Sequence, residues 1–107
     1  MDGQQTTGAV DFSVLHSYSA GDEGFVREVL TLFRSEALEW APRLVPEASD
    51  WRATVHTIKG TSRTIGARTL GDLCERAERE GLGLLPSVRG SLEAVLAEID
   101  GYLGEGV

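Results

Sequence analysis

Cysteine is almost missing from this chain: Cys74 is the only one among 107 residues. A lone thiol cannot close an intramolecular disulfide, and without a second cysteine no Cys/His grouping has zinc spacing. Both facts fit a reducing, cytoplasmic setting. Positive charge is also scarce. The 17 acidic and 10 basic side chains leave a net charge of −7, the wrong sign for affinity gained by neutralising nucleic-acid phosphates. No stretch approaches the ~18 apolar residues that a membrane span requires. Met1 to Val10 lacks the basic residues and apolar run of a signal peptide, so a soluble, unprocessed chain is expected. Alternation of apolar and polar residues, the mark of a half-buried strand, is absent as well.

What remains is an ordinary globular balance, 41% hydrophobic and 25% charged. A chain of 107 residues is sized for one domain with a modest core and little room for an enclosed active site. Residues 1–8, rich in Gln, Thr and Gly and without periodicity, read as a flexible leader. Residues 9–107 then form a single domain.

Helical spacing organises that domain. Asp11 caps a short first helix carrying Phe12, Val14 and Leu15, which Ser19-Ala20-Gly21 ends. Asp22 caps a second, with Glu23 in its first turn and a stripe of Phe25, Val29, Leu32, Phe33 and Trp40. Pro42 should kink this helix or stop it a turn later near Val45. Ser49 or Asp50 caps the third, whose apolar positions are Trp51, Val55, Ile58 and Ile65, with Ser62 on the same stripe; Gly66 ends it. Leu70, Leu73, Cys74 and Ala77 line the fourth, which breaks at Gly81-Leu82-Gly83. A fifth starts near Pro86 and carries Val88, Leu92, Val95, Leu96, Ile99 and Leu103. Short connections return each long helix beside its predecessor. The expectation is all-α: an antiparallel up-down-up-down four-helix bundle with a short additional N-terminal helix across one end. Such a bundle supplies its own partners, which favours a monomer, although an apolar patch near Phe12 and Leu15 could pair chains.

The chemistry lies in Val55-His56-Thr57-Ile58-Lys59-Gly60-Thr61-Ser62-Arg63-Thr64-Ile65-Gly66. At about 100° per residue, the apolar positions and Ser62 fall within roughly 40° of one direction and His56 points about 140° away, into water. Lys59 follows at i+3, Gly60 at i+4 and Arg63 at i+7 on the same flank. Glycine within a helix costs about 0.5 to 1 kcal/mol relative to alanine. A bare position beside an exposed imidazole would let another protein approach the ring. Lys59 can offset part of the roughly two negative charges of a phosphoryl group.

This stretch resembles the signature of bacterial histidine phosphotransfer (HPt) domains, in which a histidine is followed by an apolar residue, Lys-Gly, small residues and apolar-Gly. The resemblance covers the whole expected bundle. It implies that His56 is the phosphoacceptor, Lys59 its electrostatic neighbour and Gly60 the opening through which a receiver domain reaches. In the next helix it places at Glu78 the Gln or Glu that hydrogen-bonds the ring. Partners would be the receiver domains of hybrid histidine kinases and of response regulators. No cofactor is implied for this protein, since the magnesium ion belongs to the receiver. No glycine-rich ATP-binding segment accompanies the bundle, so the expected role is phosphocarrier rather than kinase.

Other residues read more plainly. Arg63 falls on the solvated face, Cys74 in the core, and Trp40 and Trp51 in packing; His16 matches nothing functional. The competing function is a helical scaffold that binds a partner without chemistry, and it predicts no acid-labile phosphorylation.

Overall fold

A computed structural model of the chain describes residues 8–104. The leader, apart from Gly8, and the last three residues lie outside them. Five α-helices and no strand occur among the described residues: α1 (Phe12–Tyr18), α2 (Glu23–Trp40), α3 (Trp51–Ile65), α4 (Arg68–Glu80) and α5 (Leu85–Leu103). The four long helices pack as a bundle around one core, with α1 tied to its end.

The helix boundaries have local causes. The carboxylate of Asp11 accepts the amide of Ser13, and that of Asp22 accepts the amide of Phe25, so both expected caps form. Pro42 acts earlier than expected. α2 stops at Trp40, and Ala41–Arg43 tighten into a 3-10 turn that holds the proline near its start. Asp50 occupies the N-cap position of α3 but makes no side-chain cap bond. Its carboxylate instead pairs with Arg43 at 3.6 Å. Gly66 ends α3 in the left-handed region, at φ 88°. A Cβ there would sit 2.2 Å from the carbonyl oxygen of Asp11, while the Asp11 amide donates to the Gly66 carbonyl at 2.9 Å. One glycine thus turns the chain and seats the start of α1. α5 begins at Leu85, with Pro86 in its first turn.

The core follows the expected stripes of α3 and α5 closely, with Trp51 and Leu96 at its margin; in α4 Leu73 is half-buried. α2 departs from expectation. Its buried residues are Val26, Leu30, Phe33, Ala37 and Trp40, whereas Phe25 is 45% and Leu32 57% exposed. Phe33 and Trp40 fit both phases, and the face that the bundle covers is the one carrying Val26, Leu30 and Ala37. Arg27 donates to the carbonyl of Leu103 at 2.7 Å and Arg34 reaches Asp100 at 3.2 Å, so that flank of α2 faces α5. On the opposite flank Phe25 and Leu32 stay exposed, while Val29 packs against the margin of the core.

The apolar patch expected at α1 is covered. Leu15 is buried and Phe12 stacks on Tyr102, with ring centroids 4.4 Å apart. Beside them His16 bonds the carbonyl oxygen of Phe12 through Nδ1 (2.9 Å) and Glu23 through Nε2 (3.0 Å). The Tyr102 hydroxyl donates to Glu23 at 2.9 Å. The Glu23 bond is the main cause of a raised His16 pKa. His16 is therefore a fastener between α1, α2 and α5.

Ser62 is fully buried, and its hydroxyl has no hydrogen-bond partner among the described residues. A desolvated, unpaired hydroxyl costs about 1–3 kcal/mol. Ser62→Ala removes it without opening a large void, so the urea midpoint should hold or rise. A drop equivalent to more than about 1 kcal/mol would mean that the hydroxyl is satisfied in solution.

Candidate functional site

One flank of α3 turns four polar side chains toward α4 at steps of four, three and four: Arg52, His56, Lys59 and Arg63. Each finds a partner there. His56 Nδ1 lies 2.7 Å from Glu78 Oε2, and Lys59 Nζ lies 2.6 Å from Glu78 Oε1. One carboxylate grips both, an oxygen to each. Arg52 donates from a guanidinium nitrogen to the backbone carbonyl of the same Glu78, and its guanidinium also lies 4.6 Å from the centre of the Trp51 ring. That carbonyl belongs to the last turn of α4, where helical partners run out.

The electrostatics follow. The Lys59 bond is the largest influence holding Glu78 below the usual carboxylate range; partial burial opposes it and the His56 bond adds to the lowering. Glu78 is ionised at neutral pH and can only accept. His56 must then donate from Nδ1, which fixes the neutral ring as the Nδ1–H tautomer and leaves the lone pair on Nε2. The His56 side chain is 68% exposed against 21% for Glu78, so the ring is held by a sheltered anchor and presented to water. No described residue bonds Nε2.

Gly60 stands one turn beyond His56. Nothing in the described chain lies within 4 Å of the point where a Cβ would be, so internal packing does not require a glycine there. Arg63 lies on the solvated face as expected and is engaged there: it reaches Asp72 at 3.1 Å and Glu75 at 2.6 Å. To do so it crosses α4 over Gly71, where a Cβ would fall 3.0 Å from its Cγ and 3.1 Å from its Nε. Cys74 is buried, and burial pushes its thiol up to about 12, which excludes a thiolate nucleophile at neutral pH.

Sequence reading overlooked Arg52. Its signal was the i−4 spacing to His56, readable only once the orientation of α4 is known. A cavity of about 620 Å³ lies elsewhere, beside Asp11, Arg63 and Arg68, so His56 stands on an open surface rather than in an enclosed pocket. An exposed, oriented imidazole suits a reaction whose other half is carried by a second macromolecule.

Comparison with known proteins gives the family and the fold. Residues 28–102 match the Hpt domain family model. The fold is similar to the crystal structure of the histidine phosphotransferase ShpA from Caulobacter crescentus, with a TM-score of 0.83 and 46% sequence identity over 92% of this chain and 94% of that one. No curated protein matches the chain significantly. With the family model spanning more than half of the sequence, the chain belongs to the Hpt family, the histidine phosphotransfer domains of phosphorelay signalling.

Proposed function

We propose that His56 accepts a phosphoryl group at Nε2 from the phosphorylated aspartate of one receiver domain and passes it to the aspartate of another. The observation that carries this reading is the division of labour on the ring: Nδ1 is held by Glu78 at 2.7 Å and Nε2 is left open on an exposed face. Phosphoryl transfer of this kind needs positioning and charge compensation more than covalent help from the carrier. The Nε2 lone pair attacks phosphorus in line as the bond to the aspartate oxygen breaks, and the electron pair leaves on the carboxylate. Lys59, already beside the ring, offsets part of the phosphoryl charge.

Gly60 leaves room for the receiver's loops beside the ring. The exposed Phe25 and Leu32 of α2 extend the docking surface, since exposed apolar side chains grouped on one flank are a common mark of partner sites. In this reading the magnesium ion resides in the receiver, and the chain acts as a phosphocarrier. It works as a cytoplasmic monomer. Support comes from the absence of a helix long and apolar enough to cross a membrane among the described residues, and from the covered α1 patch.

The test is incubation with a phosphorylated receiver domain, followed by mass mapping. An acid-labile phosphoryl group on the peptide containing His56 is the expected result. Docking without label would leave the scaffold function instead.

A further inference from the structure

We infer that Glu78 keeps the proton on Nδ1 of His56 while the ring carries a phosphoryl group, and so holds the phosphohistidine in its readily transferred form. The inference rests on His56 being the acceptor and concerns what happens to the proton once it is charged.

The neutral ring starts with one proton, on Nδ1. When the Nε2 lone pair forms the bond to phosphorus and the aspartate oxygen leaves with its electron pair, two products are open. If Nδ1 keeps its proton, the ring becomes an N-phosphoimidazolium. If Nδ1 releases it to water, the ring becomes a neutral N-phosphoimidazole. The cation is the more labile, because the bond from nitrogen to phosphorus then breaks with its electron pair returning to Nε2 and a neutral imidazole departing. The return step is balanced with the proton where it began. A carrier that keeps this proton needs no proton transfer in either direction.

Which product prevails depends on what faces Nδ1. An ionised carboxylate accepts and never donates, so it stabilises Nδ1–H and disfavours a bare Nδ1 lone pair. Glu78 faces Nδ1 at 2.7 Å and cannot easily swing aside. Lys59 holds its other oxygen at 2.6 Å, and Arg52 holds its backbone carbonyl. The charged groups at the ring are Glu78 from α4 and, from its own helix, Lys59, with Arg52 a turn away. Lys59, the one cation in direct reach, is bound to the far oxygen of the carboxylate. A glutamine at this position would behave differently: its carbonyl could accept from Nδ1–H, but its amide could turn and donate to a deprotonated Nδ1. A carboxylate here therefore selects the labile species, where an amide would tolerate both.

Phosphoramidate, a small donor that needs no receiver, charges the protein for the test. Nitrogen NMR reads the protonation of Nδ1, and phosphorus NMR follows the decay of the phosphohistidine. The phosphorylated protein should keep Nδ1–H at neutral and mildly alkaline pH. Glu78→Gln should lose it at lower pH and lengthen the phosphohistidine half-life several-fold. Because the substitution also frees Lys59 to stabilise the phosphoryl group, the comparison is repeated in a Lys59→Met background, where the lengthening should persist. A wild-type phosphohistidine already deprotonated at neutral pH, or a Glu78→Gln half-life no longer than wild type in that background, overturns the inference and leaves the acceptor role intact. If His56 takes no phosphoryl group from either donor, the acceptor role falls and this inference with it.

Discussion

Replacing His56 with glutamine should abolish acceptance of a phosphoryl group from a receiver while leaving helicity and the thermal midpoint almost unchanged. The two halves have separate causes. Glutamine has no imidazole nitrogen, so the attacking lone pair is gone. The fold loses little, because the ring is 68% exposed and its one bond is to a carboxylate that Lys59 continues to hold. Surface changes of this kind stay within about 0.5 kcal/mol. His16 cannot take over, since both of its ring nitrogens are engaged in fastening α1. Label appearing on the variant at the wild-type level would remove His56 from the mechanism. A large fall in thermal midpoint would instead show that the ring carries structural load which the exposed geometry does not reveal.

Gly60→Gln should separate stability from function in the opposite direction. The position has open space around it, and glutamine is a better helix former than glycine by about 0.5–1 kcal/mol, so the thermal midpoint should hold or rise. The added side chain stands one turn from His56, in the open space through which the proposed docking would bring a receiver. Docking and transfer should fall together, by about tenfold or more, equivalent to ~1.4 kcal/mol of lost interaction. Titration of the variant with an unphosphorylated receiver, alongside single-turnover transfer, checks both quantities. A stable Gly60→Gln protein that docks and transfers normally would show that the bare position is not an access device.

Much of the architecture was legible because it is written in local chemistry. Asp11 and Asp22 as caps, Gly66 and Pro86 as punctuation, and the outward direction of His56 all follow from spacing within a single helix. The phase of α2 was not legible, because two stripes share Phe33 and Trp40 and the larger side chains lie on the wrong one. Burial fell on the face of Val26, Leu30 and Ala37, and which face is covered is a property of the packed bundle. The ladder between α3 and α4 was only partly readable. The family resemblance placed Glu78 opposite His56, but Arg52 and the partners of Arg63 depend on how α4 lies across α3, and Asp50 traded its cap for an ion pair with Arg43.

Arg63 and Gly71 are bound together in a way that reaches beyond the fold. The arginine passes so close over the glycine that a methyl group beneath it would push its side chain aside by a few tenths of an ångström. A lineage that acquires a side chain at position 71 therefore displaces the long side chain at position 63. Where that displacement breaks its reach, Asp72 loses its cation and Glu75 keeps only Arg79, at 3.7 Å, so the strip of α4 running toward Glu78 becomes more acidic. Because electrostatic complementarity governs encounter rate and partner choice more than raw affinity, such a change alters which receivers meet the protein fastest. Divergence between parallel signalling routes can thus begin at a buried glycine that touches no partner.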